Sequence, residues 1–109
     1  MATAQALHLS DQDFDAEVLN SAEPVLVDFY ATWCPPCRMI APVMEQLATA
    51  YAGQAKVVKV NVDESPMLAN RYGVQGVPTV MVFHRGRVAN TLVGAQSVAR
   101  YQAALDRLL

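Results

Sequence analysis

Val25–Tyr30 (VLVDFY) is β-branched, aromatic and almost wholly apolar, the pattern of a strand covered on both faces. Lys56–Val62 (KVVKVNV) predicts the next strand. Thr79–His84 (TVMVFH) and Arg87–Val93 (RVANTLV) flank Arg85-Gly86 and predict an antiparallel hairpin, while Gln5–Leu9 is a weak opening strand. Helical spacing takes over elsewhere. Ser10 is placed as an N-cap, with Asp13 in the first turn and Phe14, Val18 and Leu19 as the apolar face. Met39, Ile40, Val43, Met44, Leu47 and Ala48 mark a longer helix. Pro42 removes one of its ladder bonds and predicts a kink, and Gly53 suits a left-handed C′ position. Asp63-Glu64-Ser65-Pro66 opens a short helix through Tyr72 that Gly73 stops. Ser97 caps a final helix with Val98, Tyr101, Ala104, Leu105 and Leu108 as its stripe. The order βαβαβαββα predicts an α/β chain with parallel crossovers early and a hairpin late.

Composition narrows the function classes. The 109 residues, 53% hydrophobic and 17% charged, suit one globular domain spanning residues 1–109 with no internal boundary. A formal charge of -2 argues against broad electrostatic binding to nucleic acid. No stretch reaches the roughly 20 apolar residues of a membrane span. The first Lys or Arg is Arg38, so no secretory signal is expected, and two cysteines do not make the disulfide framework of a small secreted domain. The expected compartment is the reducing cytoplasm, where a close cysteine pair serves chemistry rather than stapling.

The sharpest candidate is Trp33-Cys34-Pro35-Pro36-Cys37, between a buried-type strand and a helix start. The spacing keeps two sulfurs close enough to oxidise to each other, and free N–H groups at a helix N-terminus favour a thiolate. Cys34, at the helix edge, is expected to be the exposed nucleophile. Cys37, one turn in, is expected to be the shielded, resolving thiol. A zinc site needs four ligands, and neither His8 nor His84 has ligand spacing to the pair, so no metal is expected.

Asp28 interrupts VLVDFY. It is either turned to solvent on an edge strand or buried with a raised pKa, in which case it can take a proton from Cys37 and return it. Lys59, in the neighbouring predicted strand, is a candidate modulator of Asp28 and equally a solvated strand lysine. Pro78, entering a strand after Gly76-Val77, is on its own a strand-start proline, cis or trans.

Together these residues resemble the thioredoxin family. VDFYATWCPPCRMIAPVMEQLA is similar to that family's active-site strand and helix, and KVNVDESPMLANRYGVQGVPTVMVFHRGRV to its central strand, proline loop and hairpin. The likeness runs from about Leu7 to the C-terminus. It implies a thioredoxin fold, a five-stranded mixed sheet flanked by four helices, with Asp28 buried and Pro78 cis against the cysteine pair. It also implies that Trp33, Pro36, Gly76, Val77, Pro78, Gly94 and Ala95 rim an apolar groove for an extended client backbone.

The implied activity is reduction of protein disulfides by dithiol–disulfide exchange at Cys34 and Cys37. No cofactor is bound, and the implied partners are disulfide-containing clients and an NADPH-dependent thioredoxin reductase that recharges a monomeric electron carrier. One departure bears on redox tuning: Pro35 stands where the family usually has Gly, beside the usual Pro36. Pro35 removes a donor to the Cys34 thiolate and also stiffens the loop, two effects of opposite sign. Tyr30 replaces a frequent Trp. A redox-independent binding module and an iron–sulfur carrier through the cysteine pair are the alternative functions.

Overall fold

A computed structural model describes residues 5–109. Its strands are β1 (Leu7–His8), β2 (Val25–Tyr30), β3 (Lys56–Asn61), β4 (Thr79–His84) and β5 (Arg87–Val93). Its α-helices are α1 (Pro35–Ala50), α2 (Pro66–Arg71) and α3 (Val98–Asp106), and a π-helical turn over Asp15–Leu19 makes the fourth helical segment. The sheet order is β1-β3-β2-β4-β5. Strands β1, β3 and β2 run parallel, β4 is antiparallel to β2, and β5 is antiparallel to β4. This is the α/β mixed sheet expected, with β2 at its centre.

Two apolar layers clothe the sheet. On one face Leu26, Val57, Val80, Val82 and Leu92 pack against Ile40, Met44 and Leu47 of α1 and Tyr101, Ala104 and Leu105 of α3. On the other, Val25, Val27, Phe29, Val58, Val60, Met81 and Phe83 pack against Phe14, Val18 and Leu68. Strand alternation explains the division. Asp28, two residues after Leu26 and opposite Val80, therefore points into the α1/α3 layer.

Local signals account for most boundaries. Arg85 (φ 55°) and Gly86 (φ 80°) are both left-handed, the requirement of a tight hairpin turn whose twist matches its strands. A Cβ on Gly86 would also meet the Leu19 carbonyl oxygen at 3.3 Å. Ser97 caps α3, its Oγ accepting from the Arg100 amide at 3.3 Å. Pro42 lies inside α1 and withdraws the N–H that would close a turn onto the Arg38 carbonyl.

Three expectations need correction. Ser10 does not cap a helix through its side chain; its carbonyl accepts from Asp13 and Phe14, and the π-helical turn begins only at Asp15. The Asp13 amide that a Ser10 hydroxyl would cap is already taken by the Ser10 carbonyl. The Phe14 ring is fully buried, 5.5 Å from the Tyr72 ring centre and 5.7 Å from that of Phe83. Gly53 (φ 83°) is not the C′ residue of α1, which ends at Ala50; it lies in the following turn, where Gln54 and Ala55 both donate to the Tyr51 carbonyl. The opening strand shrinks to two residues paired with Val58 and Lys59.

Candidate active site

Strand β2 ends at Tyr30, and residues 31–33 deliver Cys34 to the N-cap of α1 in an extended conformation (φ -96°, ψ 109°). Pro35 and Pro36 have no N–H, so the first free amide of the helix belongs to Cys37. It donates to Cys34 Sγ at 3.2 Å. The Arg38 amide donates to the Cys34 carbonyl, and the Arg38 guanidinium straps the loop by donating to the Thr32 carbonyl at 2.8 Å. Cys34 and Cys37 are joined as a disulfide with Cα atoms 5.3 Å apart. A helix N-terminus holding one sulfur over an amide donor is a place where negative charge on that sulfur is stabilised.

Cys34 was expected to be exposed, but each cysteine residue is only 3% accessible. Its surroundings explain the difference. Ala31, Tyr30, Val62 and Val77 pack around the pair, and Cys34 Sγ lies 3.6 Å from the Val77 carbonyl oxygen. Pro35 and Pro36 are both exposed and form the outer wall of the site.

The second wall comes from a distant part of the chain. The Val77–Pro78 peptide bond is cis. Thr79 Oγ1 donates to the Gly76 carbonyl at 2.7 Å, and the Pro78 carbonyl accepts from the Gly94 amide at 2.8 Å. Gly76, Val77, Pro78 and Gly94 are thereby brought together, with Ala95 exposed beside them. Trp33 is 65% accessible, yet its indole is fixed, Nε1 donating to Asp63 Oδ2 at 2.8 Å. A shallow cleft of about 140 Å³ runs between Trp33, Val62, Val74, Gln75, Gly76 and Val77. Val62, Val74, Gln75, Asp63 and Arg38 escaped the sequence reading. Arg38 adjoins Cys37 in the chain, whereas folding alone brings the other four here and no local pattern marks them.

Asp28 is fully buried, and neither carboxylate oxygen has a hydrogen-bond partner. It is flanked in register by Lys59 on β3 and Val80 on β4. Burial pushes its pKa up to about 6, against the partly compensating charge of Lys59. Lys59 forms no ion pair with it; the ammonium sits 4.6 Å above the Tyr30 ring centre. Lys59 and Tyr30 line a second cleft, of about 160 Å³, with Cys37, Arg38 and Ala41. Among the described residues, no group of three or more His, Cys, Asp or Glu side chains is arranged to hold a metal ion. None of the helices among them is long and apolar enough to cross a membrane.

Comparisons with known proteins agree with this geometry. A model of the thioredoxin family matches residues 5–107. A thioredoxin of Acidithiobacillus ferridurans is 47% identical over 103 residues, 94% of this chain and 95% of its own length. Thioredoxin 1 of Synechococcus elongatus is 48% identical over 104 residues, 95% of this chain and 97% of its own. Thioredoxin M4 of Arabidopsis thaliana, a chloroplast protein, is 44% identical over 99% of this chain but only 56% of its own length. With its mixed sheet and its cysteine pair bonded at the head of α1, the chain belongs to the thioredoxin family and is a thiol–disulfide oxidoreductase that uses its own disulfide in place of a cofactor.

Proposed function

We propose that Cys34 is the attacking sulfur and Cys37 the resolving one in the reduction of protein disulfides. The observation that carries this assignment is the Cys37 amide aimed at Cys34 Sγ from 3.2 Å. In the reduced protein the Cys34 thiolate attacks one sulfur of a client disulfide. A mixed disulfide forms, and the client's other sulfur leaves as a thiolate. Cys37 then loses its proton and attacks Cys34 Sγ, which closes the Cys34–Cys37 bond and frees the client as a dithiol. Two electrons pass to the client, and an NADPH-dependent thioredoxin reductase returns them.

Asp28 serves as the proton acceptor for Cys37. Its raised affinity, about pH 6, suits a group that takes a proton near neutrality and gives it back, and Lys59 modulates that affinity. Trp33, Pro36, Gly76, Val77, Pro78, Gly94 and Ala95 rim the groove where an extended client segment docks. Pro35 and Pro36 tune the couple by withdrawing two amides from the Cys34 sulfur. The working form is a single-domain monomer in a reducing cytoplasm, with no nucleic-acid partner and no bound metal.

The test uses insulin as the client, with NADPH and a thioredoxin reductase. Cys34→Ser is expected to abolish both turnover and covalent capture of insulin. Cys37→Ser is expected to abolish turnover but accumulate the mixed disulfide, seen by mass spectrometry. Capture by Cys34→Ser but not by Cys37→Ser would reverse the assignment, and turnover without either sulfur would remove it.

A further inference from the structure

Tyr101 is fully buried within the apolar layer between the sheet and helices α1 and α3, beside Ala104, Leu105 and Leu92. A leucine or phenylalanine would satisfy that layer. A tyrosine there brings a hydroxyl whose burial is costly unless it is paired. The hydroxyl is paired, but not with the core: it accepts from the Gln96 amide at 3.0 Å.

Gln96 closes a three-residue passage, Gly94–Gln96, from β5 to the Ser97 cap of α3. Gly94 (φ 80°) turns the chain there. The passage is tied at one end by the Gly94 amide on the Pro78 carbonyl, 2.8 Å, and internally by Gln96 Nε2 on the Val93 carbonyl, 2.8 Å. The phenol is the tie at the other end. Burial raises its pKa, eased by the Gln96 amide and raised further by the Asp28 charge, so it stays neutral.

We infer that the Tyr101 hydroxyl is a positioning group for client binding, holding the Gly94–Gln96 lip at the height the Val77–Pro78 loop requires. This rests on the proposal that Gly94 and Ala95 form one edge of the client groove. Loss of the hydroxyl leaves ring packing in place and lets the lip move away from Pro78. A folded client docks its backbone against that lip. A small aromatic disulfide such as DTNB reaches Cys34 with little use of it, so the two substrates report differently on the hydroxyl.

The experiment compares reduced parent and Tyr101→Phe in stopped-flow reactions with insulin and with DTNB, alongside amide exchange of Gln96. The insulin rate constant is expected to fall about 2- to 10-fold further than the DTNB constant, the range one neutral hydrogen bond carries. Gln96 exchange is expected to speed up in the variant. Equal losses with both substrates would overturn the inference in favour of a general structural role. Unchanged rates with faster Gln96 exchange would overturn it too, because the lip would then be free without consequence. Should the variant not fold, an unprotected Gln96 amide in the parent still sinks the inference. A parent that reduces DTNB but not insulin would instead defeat the proposed client reduction itself.

Discussion

The apolar start of β2, Val25–Val27, and the Asp28 position that follows it lie between the same neighbours, β3 and β4. Val25, Leu26, Val27 and Asp28 are all completely buried, yet burial has opposite consequences for them. Each apolar side chain gains about 1.5–3 kcal/mol by leaving water. Asp28 loses its hydration and receives no hydrogen bond in exchange. A pKa of about 6 in place of the ordinary 3.8 corresponds to about 3 kcal/mol of lost stability once the carboxylate is charged. Strand β2 therefore carries one destabilising position, Asp28, among stabilising ones that include Phe29 beyond it, and that position lies six residues before Cys34. The strength of the apolar positions allows Asp28 to exist.

Breaking one of the apolar positions gives the largest expected effect. Leu26→Ala is expected to cost about 3–4 kcal/mol by urea titration, with turnover per folded molecule preserved. A loss below 1 kcal/mol would mean that the layer over Leu26 collapses around the gap.

Asp28→Asn is expected to act in the other direction, raising stability by about 2–3 kcal/mol at pH 8 while slowing client release. The gain depends on pH. The folded protein holds the Asp28 proton up to about pH 6, whereas the unfolded chain releases it near 3.8, so the parent loses stability as pH rises through that window. The advantage of Asp28→Asn is therefore expected to be absent below pH 4 and complete above pH 7. Equal stabilities at pH 8 would contradict the uncompensated buried carboxylate.

Lys59→Met sharpens the comparison by removing the Lys59 charge that eases Asp28 while keeping a stem over Tyr30. The pH at which Asp28 titrates, followed by NMR, is expected to move up, and stability at pH 8 to fall. An unmoved midpoint would show that the Asp28 carboxyl does not sense Lys59. The smallest effect is expected from Trp33→Phe, which loses the hydrogen bond to exposed Asp63 and so about 1 kcal/mol or less of stability.

Much of this was legible before folding was considered. Strands β2 and β4 announce themselves by β-branched and aromatic runs, and the hairpin by Gly86 between two such runs, whereas the left-handed Arg85 before it shows only in the fold. The pairing of Cys34 and Cys37 at a helix start is also local, since three-residue spacing and two prolines at the helix head are both written in five consecutive letters. Ser10 shows the limit. Its residue type suits a cap, but the Asp13 amide that its hydroxyl would hold is bonded to its own carbonyl instead, a choice of backbone geometry that the residue type does not reveal.

By itself, then, the amino-acid sequence determined the succession of elements, the cysteine pair and the helix end that supports it, all matters of short-range spacing and backbone preference. Tertiary structure decided which carboxylate lost its water, that Cys34 is covered rather than open, and that Gly94 meets Pro78 while Tyr101 meets Gln96. Asp28 reads the same on an exposed edge strand as on a central one. Only the arrival of β3, β4 and the α1/α3 layer around it makes it a buried carboxylate with a raised pKa, because desolvation is a property of the surroundings and not of the residue.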